Sequence, residues 1–266
     1  MNRPSLVIAV LLLSLGAESL FAQQWAQAKL NQSPRHHQWV DLKHDDRTVK
    51  AFVAFPEVKE KAPAVLVIHE IFGLTDWAKS LADEVAAAGY IAIAPDLLTE
   101  QGKDTQSYDK EAATKVVSGL QEPQVFADLD AAAAYAKKLP ACNGTIVVCG
   151  FCWGGGRAFA YANHNPDLKA AYVFYGEGPA EKTAAEKISC PVYGFYGEND
   201  ARIDSTIAKT KEVMNSLGKN YDPVVYPGAG HGFMRAGEEP HAVEANQKAH
   251  DASWERWKSL LKKLQD

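Results

Sequence analysis

The stretch VVCGFCWGGG, residues 147–156, joins a run of apolar, β-branched residues to a turn that is rich in glycine. Cys152 lies at the apex of this turn, with Gly150 two residues before it and Gly154 two residues after it. A side chain held on a sharp strand-to-helix turn needs neighbours without a Cβ, which gives the Gly-x-Cys-x-Gly pattern a steric reason. The stretch therefore predicts a strand, a strained turn that presents Cys152, and a helix.

The rest of the chain alternates between short apolar runs and longer amphipathic segments. This alternation predicts an α/β fold, with a mostly parallel central sheet and helices on both faces. We expect an irregular, polar lead-in over residues 23–46 and one α/β domain over residues 47–266. Strands are predicted at 49–55, 64–69, 90–94, 145–149, 170–174, 192–196 and 223–226. Helices are predicted at 76–88, 108–118, 123–138, 153–162, 205–217 and 243–264.

Composition and charge favour a small-molecule partner. The chain has 266 residues, 47% of them hydrophobic, which is enough to bury a sizeable core. Its formal net charge of -5 is scattered, without a run of lysine and arginine, so neither nucleic acid nor a membrane surface is expected to bind. We expect a monomer.

The N-terminus has the order of a targeting segment. Arg3 precedes an apolar stretch at Val7–Leu13, and Ala22 provides a small residue before a polar sequence. We expect residues 1–22 to be removed by cleavage after Ala22. The mature protein would then be periplasmic or secreted, without stable membrane insertion. An uncleaved membrane anchor is the alternative. In an oxidising compartment the cysteines could form disulfides, whose pairing the sequence leaves open: Cys142, Cys149, Cys152 and Cys190.

Two further residues complete a catalytic pattern with Cys152. Asp200 follows the predicted strand 192–196, and His231 follows the predicted strand 223–226. Because ligands bind at the carboxyl ends of parallel strands, the three side chains are expected to meet there. Their order along the chain is nucleophile, acid and histidine, the order found in α/β-hydrolases. Asp204 competes for the acidic role, but its position before Ser205 is more typical of a helix N-cap.

Five short motifs, which include the turn and both of its partners, are spread along the chain. They are VIHEIFGL at 67–74, APDLL at 94–98, GFCWGG at 150–155, YGEND at 196–200 and GAGHGFMR at 228–235. Together they resemble the dienelactone hydrolase family over residues 45–262. The resemblance implies a single α/β-hydrolase domain that opens lactones through a cysteine nucleophile and a thioester, without a cofactor.

The resemblance also implies roles for individual residues. Cys152 would be the nucleophile, His231 the base and Asp200 the carboxylate that orients the base. Glu70 matches the glutamate that lies beside the resting thiol in this family. The backbone N–H groups of Ile71 and Trp153 would bind the oxyanion.

Substrate recognition is implied less completely. Arg235 matches a contact for an anionic substrate, but no arginine lies between Arg47 and Arg157 to provide the second arginine of the family. Lys110 or Lys115 could replace it, although an ammonium group lacks the two-pronged geometry of a guanidinium. We expect Phe72 and Tyr175 to line the pocket, and His69 is a candidate for shaping the site.

A redox function is the alternative from another class. Cys149 and Cys152 form a Cys-x-x-Cys pattern before a helix, which is typical of thiol-disulfide oxidoreductases. This reading leaves Asp200 and His231 unexplained, whereas the hydrolase reading uses both. No His or Cys cluster has the spacing of a metal site, so no metal is expected.

Overall fold

The computed structural model describes residues 23–100 and 102–264. The predicted targeting segment, residues 1–22, lies outside the described residues. Within them, no helix is long and apolar enough to cross a membrane.

Eight strands form one sheet in the order β1-β2-β4-β3-β5-β6-β7-β8. The first two pairings, of β1 with β2 and of β2 with β4, are antiparallel, and all others are parallel. The predicted α/β class with a mostly parallel sheet is confirmed. The strands are β1 His37–His44, β2 Arg47–Ala54, β3 Ala62–Ile68, β4 Ile91–Pro95, β5 Cys142–Phe151, β6 Ala171–Phe174, β7 Val192–Gly197 and β8 Tyr221–Tyr226.

The helices of the described residues connect these strands and cover both faces of the sheet. They are α1 Gln24–Gln32, α2 Asp76–Ala87, α3 Lys110–Gly119, α4 Glu122–Lys138, α5 Trp153–His164, α6 Ala201–Ser216, α7 Phe233–Ala236 and α8 Glu244–Lys262. All six predicted helices and all seven predicted strands are present, with bounds shifted by up to four residues.

The central strand β3 shows why the sheet is covered on both sides. Every residue of Ala62–Ile68 is buried. Leu66 and Ile68 pack into one core with helix α4, whereas Val65 and Val67 pack into a second core with helices α2 and α8. Because side chains alternate along a strand, a continuous apolar run supplies both cores, and the carboxyl ends of the strands remain free to carry chemistry.

The prediction of an irregular lead-in over residues 23–46 is wrong. Helix α1 and strand β1 lie there, and β1 pairs with β2 along its whole length. Strand β1 lacks an apolar pattern because it is an edge strand in which only Leu42 is fully buried. Hydrogen bonds hold its ends instead: His37 Nε2 lies 2.7 Å from Asp83 Oδ1, and His44 Nε2 lies 2.6 Å from Asp128 Oδ1.

Candidate active site

Cys152 lies between strand β5 and helix α5 in a strained backbone conformation. Its φ of 57° and ψ of -119° are rare for a residue with a side chain and cost on the order of 1 to 3 kcal/mol. The Cys152 N–H donates a hydrogen bond to the Phe174 carbonyl at 3.0 Å, which ties the turn to strand β6. The sheet thus holds the turn in this conformation and presents a partly exposed thiol.

The glycines on either side of the thiol have the steric role that the sequence predicts. A Cβ added at Gly150 would lie 2.0 Å from the Gly154 carbonyl oxygen. A Cβ added at Gly154 would lie 2.4 Å from the His69 carbonyl oxygen. Both distances are far below van der Waals contact with rigid backbone, so the turn packs on itself and on the end of β3 only if both residues are glycine.

The three predicted catalytic side chains meet at the carboxyl end of the sheet. Asp200 follows β7, and His231 lies in the loop after β8. The His231 Nε2 atom lies 3.0 Å from the Cys152 Sγ atom, and the His231 Nδ1 atom is hydrogen-bonded to the Asp200 Oδ2 atom. Asp200 is buried, with 7% of its surface exposed, so its carboxylate fixes the ring in an orientation that aims Nε2 at sulfur.

The surroundings of His231 raise its proton affinity. Burial lowers the pKa of His231, but the hydrogen bonds and charges of Cys152 and Asp200 outweigh burial and raise that pKa to about 9. The imidazolium form of His231 is therefore favoured at neutral pH. A cationic imidazole beside a cysteine favours its thiolate, which is the reactive form of a cysteine nucleophile.

Glu70 is next to this pair but does not bond the thiol. Its carboxylate accepts a hydrogen bond from Arg235 Nε at 2.9 Å and one from the Tyr175 hydroxyl at 3.4 Å. In the described part of the chain, His231 is the hydrogen-bond partner of the Cys152 sulfur. The role of Glu70 beside the resting thiol therefore stays a prediction, and the contacts that the structure gives its carboxylate are with Arg235 and Tyr175.

Tyr175 lies beneath the site rather than in a pocket. The residue is fully buried, adopts a positive φ of 41° and packs edge-on against His231, with the ring centroids 5.1 Å apart. Burial raises the pKa of Tyr175 well above its usual value, so the hydroxyl stays protonated as a donor to Glu70. The prediction that Tyr175 faces substrate is wrong for this conformation, because no surface of the residue is accessible.

Two cationic side chains lie close to the Phe72 ring. The Lys110 Nζ atom lies 4.6 Å from the ring centroid, and the guanidinium carbon of Arg235 lies 5.9 Å from it. Phe72 itself is partly exposed. Of the two lysines that could replace the missing arginine, Lys110 is the one that shares the Phe72 ring with Arg235.

The two predicted oxyanion donors are available. Ile71 lies in the turn after β3, and Trp153 is the first residue of helix α5. Within residues 23–100 and 102–264, neither the Ile71 N–H nor the Trp153 N–H has a hydrogen-bond acceptor. The first N–H groups of a helix lack intrahelical partners, so such groups are free to bind a developing negative charge.

The four cysteines are free thiols, and all of them lie in described residues. Cys142, Cys149 and Cys190 are buried, and burial raises the pKa of Cys149 well above its usual value. A redox-active pair needs accessible, readily ionised thiols, so the environment of Cys149 does not support the oxidoreductase alternative.

A second polar cluster, which the sequence does not predict, lies outside the triad. Ligand atoms of Glu84, Glu238 and His250 lie within 4.8 Å of one another. The Lys29 ammonium bonds the carboxylates of Glu84 and Glu238 at 3.0 and 2.5 Å, so a side chain already supplies the compensating positive charge. A cavity of about 460 Å³ borders Glu84 and includes no residue of the triad.

The assignment of Asp204 as an N-cap is also wrong. Helix α6 begins at Ala201, so Asp204 lies in its first turn and Asp200 occupies the N-cap position. Burial and the carboxylates of Asp200 and Glu198 raise the pKa of Asp204. Asp200 is the carboxylate that bonds His231, as the sequence predicts.

Comparisons with known proteins match the chain to one family. The dienelactone hydrolase family profile matches residues 49–265 of the chain. A Methylorubrum extorquens protein named "Putative carboxymethylenebutenolidase" is 37% identical over 206 residues, which cover 73% of this chain and 71% of the relative.

Two solved structures have a similar fold. A Klebsiella pneumoniae structure named "Putative Dienelactone Hydrolase" superimposes with a TM-score of 0.75 at 29% identity, and the match covers 86% of this chain and 98% of that chain. A dienelactone hydrolase from Anabaena variabilis superimposes with a TM-score of 0.63 at 20% identity, over 82% of this chain and 95% of that chain. At this identity the likeness shows a shared fold and nothing more.

Proposed function

Because the chain belongs to the dienelactone hydrolase family, we propose that it opens lactones or cleaves small carboxylic esters with Cys152 as the nucleophile. The observation that carries this proposal is the contact of Cys152 with His231, 3.0 Å from Sγ to Nε2. The carboxylate of Asp200 on the far side of the ring completes the arrangement. Small lactones and esters are the substrate class of the family.

Acylation begins with transfer of the Cys152 proton to His231. The sulfur attacks the carbonyl carbon of the substrate, and the carbonyl oxygen takes up negative charge between the N–H groups of Ile71 and Trp153. Collapse of this intermediate breaks the bond to the ring or ester oxygen, which accepts the proton from His231. The products are a thioester on Cys152 and, for a lactone, an alcohol or enol that stays attached to the acyl group.

Deacylation needs His231 as a base, and acylation of Cys152 is expected to lower the pKa of His231 so that it can act as one. The hydrogen bond and the charge of Cys152 contribute to the raised pKa of His231. Once the sulfur is acylated, it bears no charge, and this contribution is lost. The pKa of His231 then falls, so the neutral imidazole can take a proton from water as the water attacks the thioester.

We propose a preference for substrates that carry a carboxylate. The support is the pair of cations on the Phe72 ring, Lys110 at 4.6 Å and Arg235 at 5.9 Å from its centroid. Arg235 also bonds Glu70 and Glu239, at 2.9 and 2.7 Å. Those two carboxylates already offset its charge, so Lys110 is the freer cation for a substrate anion.

Export after cleavage at Ala22 is a further part of the proposal. It rests on the order of charged, apolar and small residues at Arg3, Val7–Leu13 and Ala22. Intact mass of the soluble exported protein from a bacterial host tests it. A mature chain that begins at Gln23 is expected, and one that still begins at Met1 would refute the cleavage.

Hydrolysis by the mature protein tests the function itself. An enol lactone with a carboxylate is offered to the wild type and to Cys152→Ala, and ring opening is followed by absorbance. The variant is expected to lose activity by at least about 10³-fold, because the thiol forms the covalent intermediate. A wild type without activity on lactones and activated esters would refute the proposed function.

A further inference from the structure

We propose that His69 is a positioning residue that fixes both N–H donors of the oxyanion site. The inference rests on the proposed function, because it concerns how that site stabilises the tetrahedral intermediate. His69 follows strand β3 and is fully buried, so it does not touch substrate in this structure.

The hydrogen bonds of His69 define its protonation state. The Leu97 N–H donates to His69 Nε2 at 3.3 Å, so Nε2 carries no proton. His69 Nδ1 lies 2.7 Å from the Glu70 carbonyl oxygen, to which it donates. Burial lowers the pKa of His69, and this effect exceeds the opposing charge of Asp96. The ring is therefore a neutral Nδ1–H tautomer and not an acid or base of the reaction.

The bond to Glu70 reaches the first oxyanion donor through one peptide unit. The Glu70 carbonyl and the Ile71 N–H belong to the same peptide, and the described residues contain no cis peptide bond. In a planar trans peptide, C=O and N–H point in opposite directions. Holding the carbonyl oxygen through His69, and through the Gly73 N–H at 3.1 Å, therefore also sets the direction of the Ile71 N–H.

The ring of His69 reaches the second donor. It stacks on the Trp153 side chain with centroids 5.9 Å apart and planes inclined by 16°. The His69 carbonyl oxygen also packs closely on Gly154: a Cβ added to Gly154 would lie 2.4 Å from this oxygen. His69 thus contacts the first turn of helix α5 with both its ring and its backbone. One buried side chain couples the two donors to each other.

Loss of the Nδ1–H would leave the Glu70 carbonyl oxygen held by the Gly73 N–H alone, so the peptide of Glu70 and Ile71 would be oriented less firmly. Removal of one oxyanion donor typically lowers kcat by about 10² to 10³. A donor that is kept but oriented less firmly should lower kcat by a smaller factor. The oxyanion exists only after attack, so kcat is expected to fall while KM stays nearly constant.

The experiment compares three substitutions at His69 in the full mature protein. His69→Leu removes both hydrogen bonds, and His69→Gln offers a polar group only near the position of Nε2. His69→Asn places an amide N–H where Nδ1 was. We expect kcat to fall roughly tenfold to 100-fold in His69→Leu and His69→Gln, with KM within about twofold of wild type. His69→Asn is expected to recover at least about fivefold of that loss.

The pH profile and an activity-independent measurement complete the test. The pH dependence of kcat/KM is expected to keep its midpoints in all three variants, because His69 does not titrate in the reaction. In nitrogen-15 NMR spectra of the wild type, His69 is expected to remain a neutral Nδ1–H tautomer from pH 5 to pH 9.

Several results would overturn the proposal. These are unchanged kcat in both His69→Leu and His69→Gln, equal losses in His69→Asn and His69→Gln, or a loss confined to KM. If His69→Leu does not fold, the comparison of His69→Gln with His69→Asn decides. If the wild type hydrolyses nothing, the proposed function fails, and so does the role of His69 in it. The NMR measurement then still tests the geometry, which a titrating or Nε2–H imidazole would contradict.

Discussion

His231 Nε2 lies 3.0 Å from Cys152 Sγ, although 79 residues separate the two in the chain. Their strands, β8 and β5, are not neighbours in the sheet, since β6 and β7 lie between them. The sharp turn at Cys152 and the loop after β8, residues 227–232, bring the side chains together over the carboxyl end of the sheet. The proposed cysteine mechanism depends on that contact.

The two cysteines of the opening motif are expected to respond differently to substitution. Cys149→Ser should keep most of the hydrolytic activity, because the Cys149 side chain is buried in the core and is not one of the three groups assigned to the chemistry. It should lower the free energy of unfolding by about 1 to 3 kcal/mol, since a hydroxyl replaces a fully buried thiol. Chemical denaturation and initial rates measure both effects. Loss of activity equal to that of Cys152→Ala, in a folded variant, would contradict the assignment.

The pKa of His231 is expected to depend on Cys152. It is raised to about 9 with contributions from both Cys152 and Asp200. Cys152→Ala removes one of these contributions, so the titration midpoint of the His231 ring, measured by NMR, should move to lower pH. The Asp200→Asn variant provides the matched comparison and should shift the midpoint in the same direction. An unchanged midpoint in Cys152→Ala would mean that sulfur does not stabilise the imidazolium.

The sequence was sufficient to predict the triad, because each member has a local signal. Gly150 and Gly154 mark the turn at Cys152, and Asp200 and His231 each follow an apolar run that forms a strand. Such signals depend on residues that are near each other in the chain. The structure brings the three side chains together through the His231–Cys152 and His231–Asp200 contacts, and their catalytic roles stay predictions.

Other features have no local signal. Strand β1 is polar and only Leu42 in it is buried, and hydrogen bonds of its terminal histidines to Asp83 in α2 and Asp128 in α4 take the place of the apolar pattern that identifies buried strands. Lys29 bonds Glu84 and Glu238, which are 55 and 209 residues away. The burial of Tyr175 follows from packing against His231 and Phe233, which only the folded chain defines.

Recognition of a substrate carboxylate should depend on Lys110. Lys110→Gln is expected to raise KM for a carboxylate-bearing lactone by roughly tenfold, which corresponds to about 1.4 kcal/mol of binding, and to leave KM for its methyl ester unchanged. Lys115→Gln is the matched control, because Lys115 is exposed on the same helix. Equal effects on acid and ester would exclude Lys110 from anion recognition.

Arg235→Gln is expected to have a broader effect. It should also raise KM for the acid by roughly tenfold. In addition, it leaves the buried Glu70 carboxylate without its 2.9 Å partner, so the variant should unfold at a lower temperature than Lys110→Gln. Steady-state kinetics and thermal unfolding of the two variants separate these effects. Equal losses of acid and ester turnover, with unchanged stability, would remove Arg235 from both roles.

The cluster around Lys29 predicts a pH dependence of stability. Burial and the charge of Glu238 raise the pKa of Glu84 to about 7, above its value of 4.5 in the unfolded chain. A carboxyl group with a raised pKa stabilises the fold while protonated, and this contribution is lost as the pH rises from about 4.5 through 7. Glu84→Gln cannot lose a proton, so its melting temperature relative to wild type should increase between pH 5 and pH 8.

The expected gain at pH 8 is about 2 to 4 °C, which corresponds to about 1 kcal/mol for a chain of this size. The pKa of His250 is raised by its contacts with Glu238 and Asp251 and by the charge of Glu84 despite burial, so His250 still titrates in the variant but without the contribution of Glu84. Glu255→Gln on the exposed face of α8 is the control and should show a constant difference. A constant difference for Glu84→Gln as well would contradict the account of the cluster.

The most direct test of the central claim is rapid-quench mass spectrometry of the enzyme after brief exposure to an activated ester. The account predicts one acyl group per chain, located on the peptide that contains Cys152 and absent from Cys152→Ala. The adduct should persist longer in His231→Gln, because the base that activates water is missing. Ester turnover by the wild type with the acyl group on another residue, or with no covalent adduct during turnover, would contradict the account.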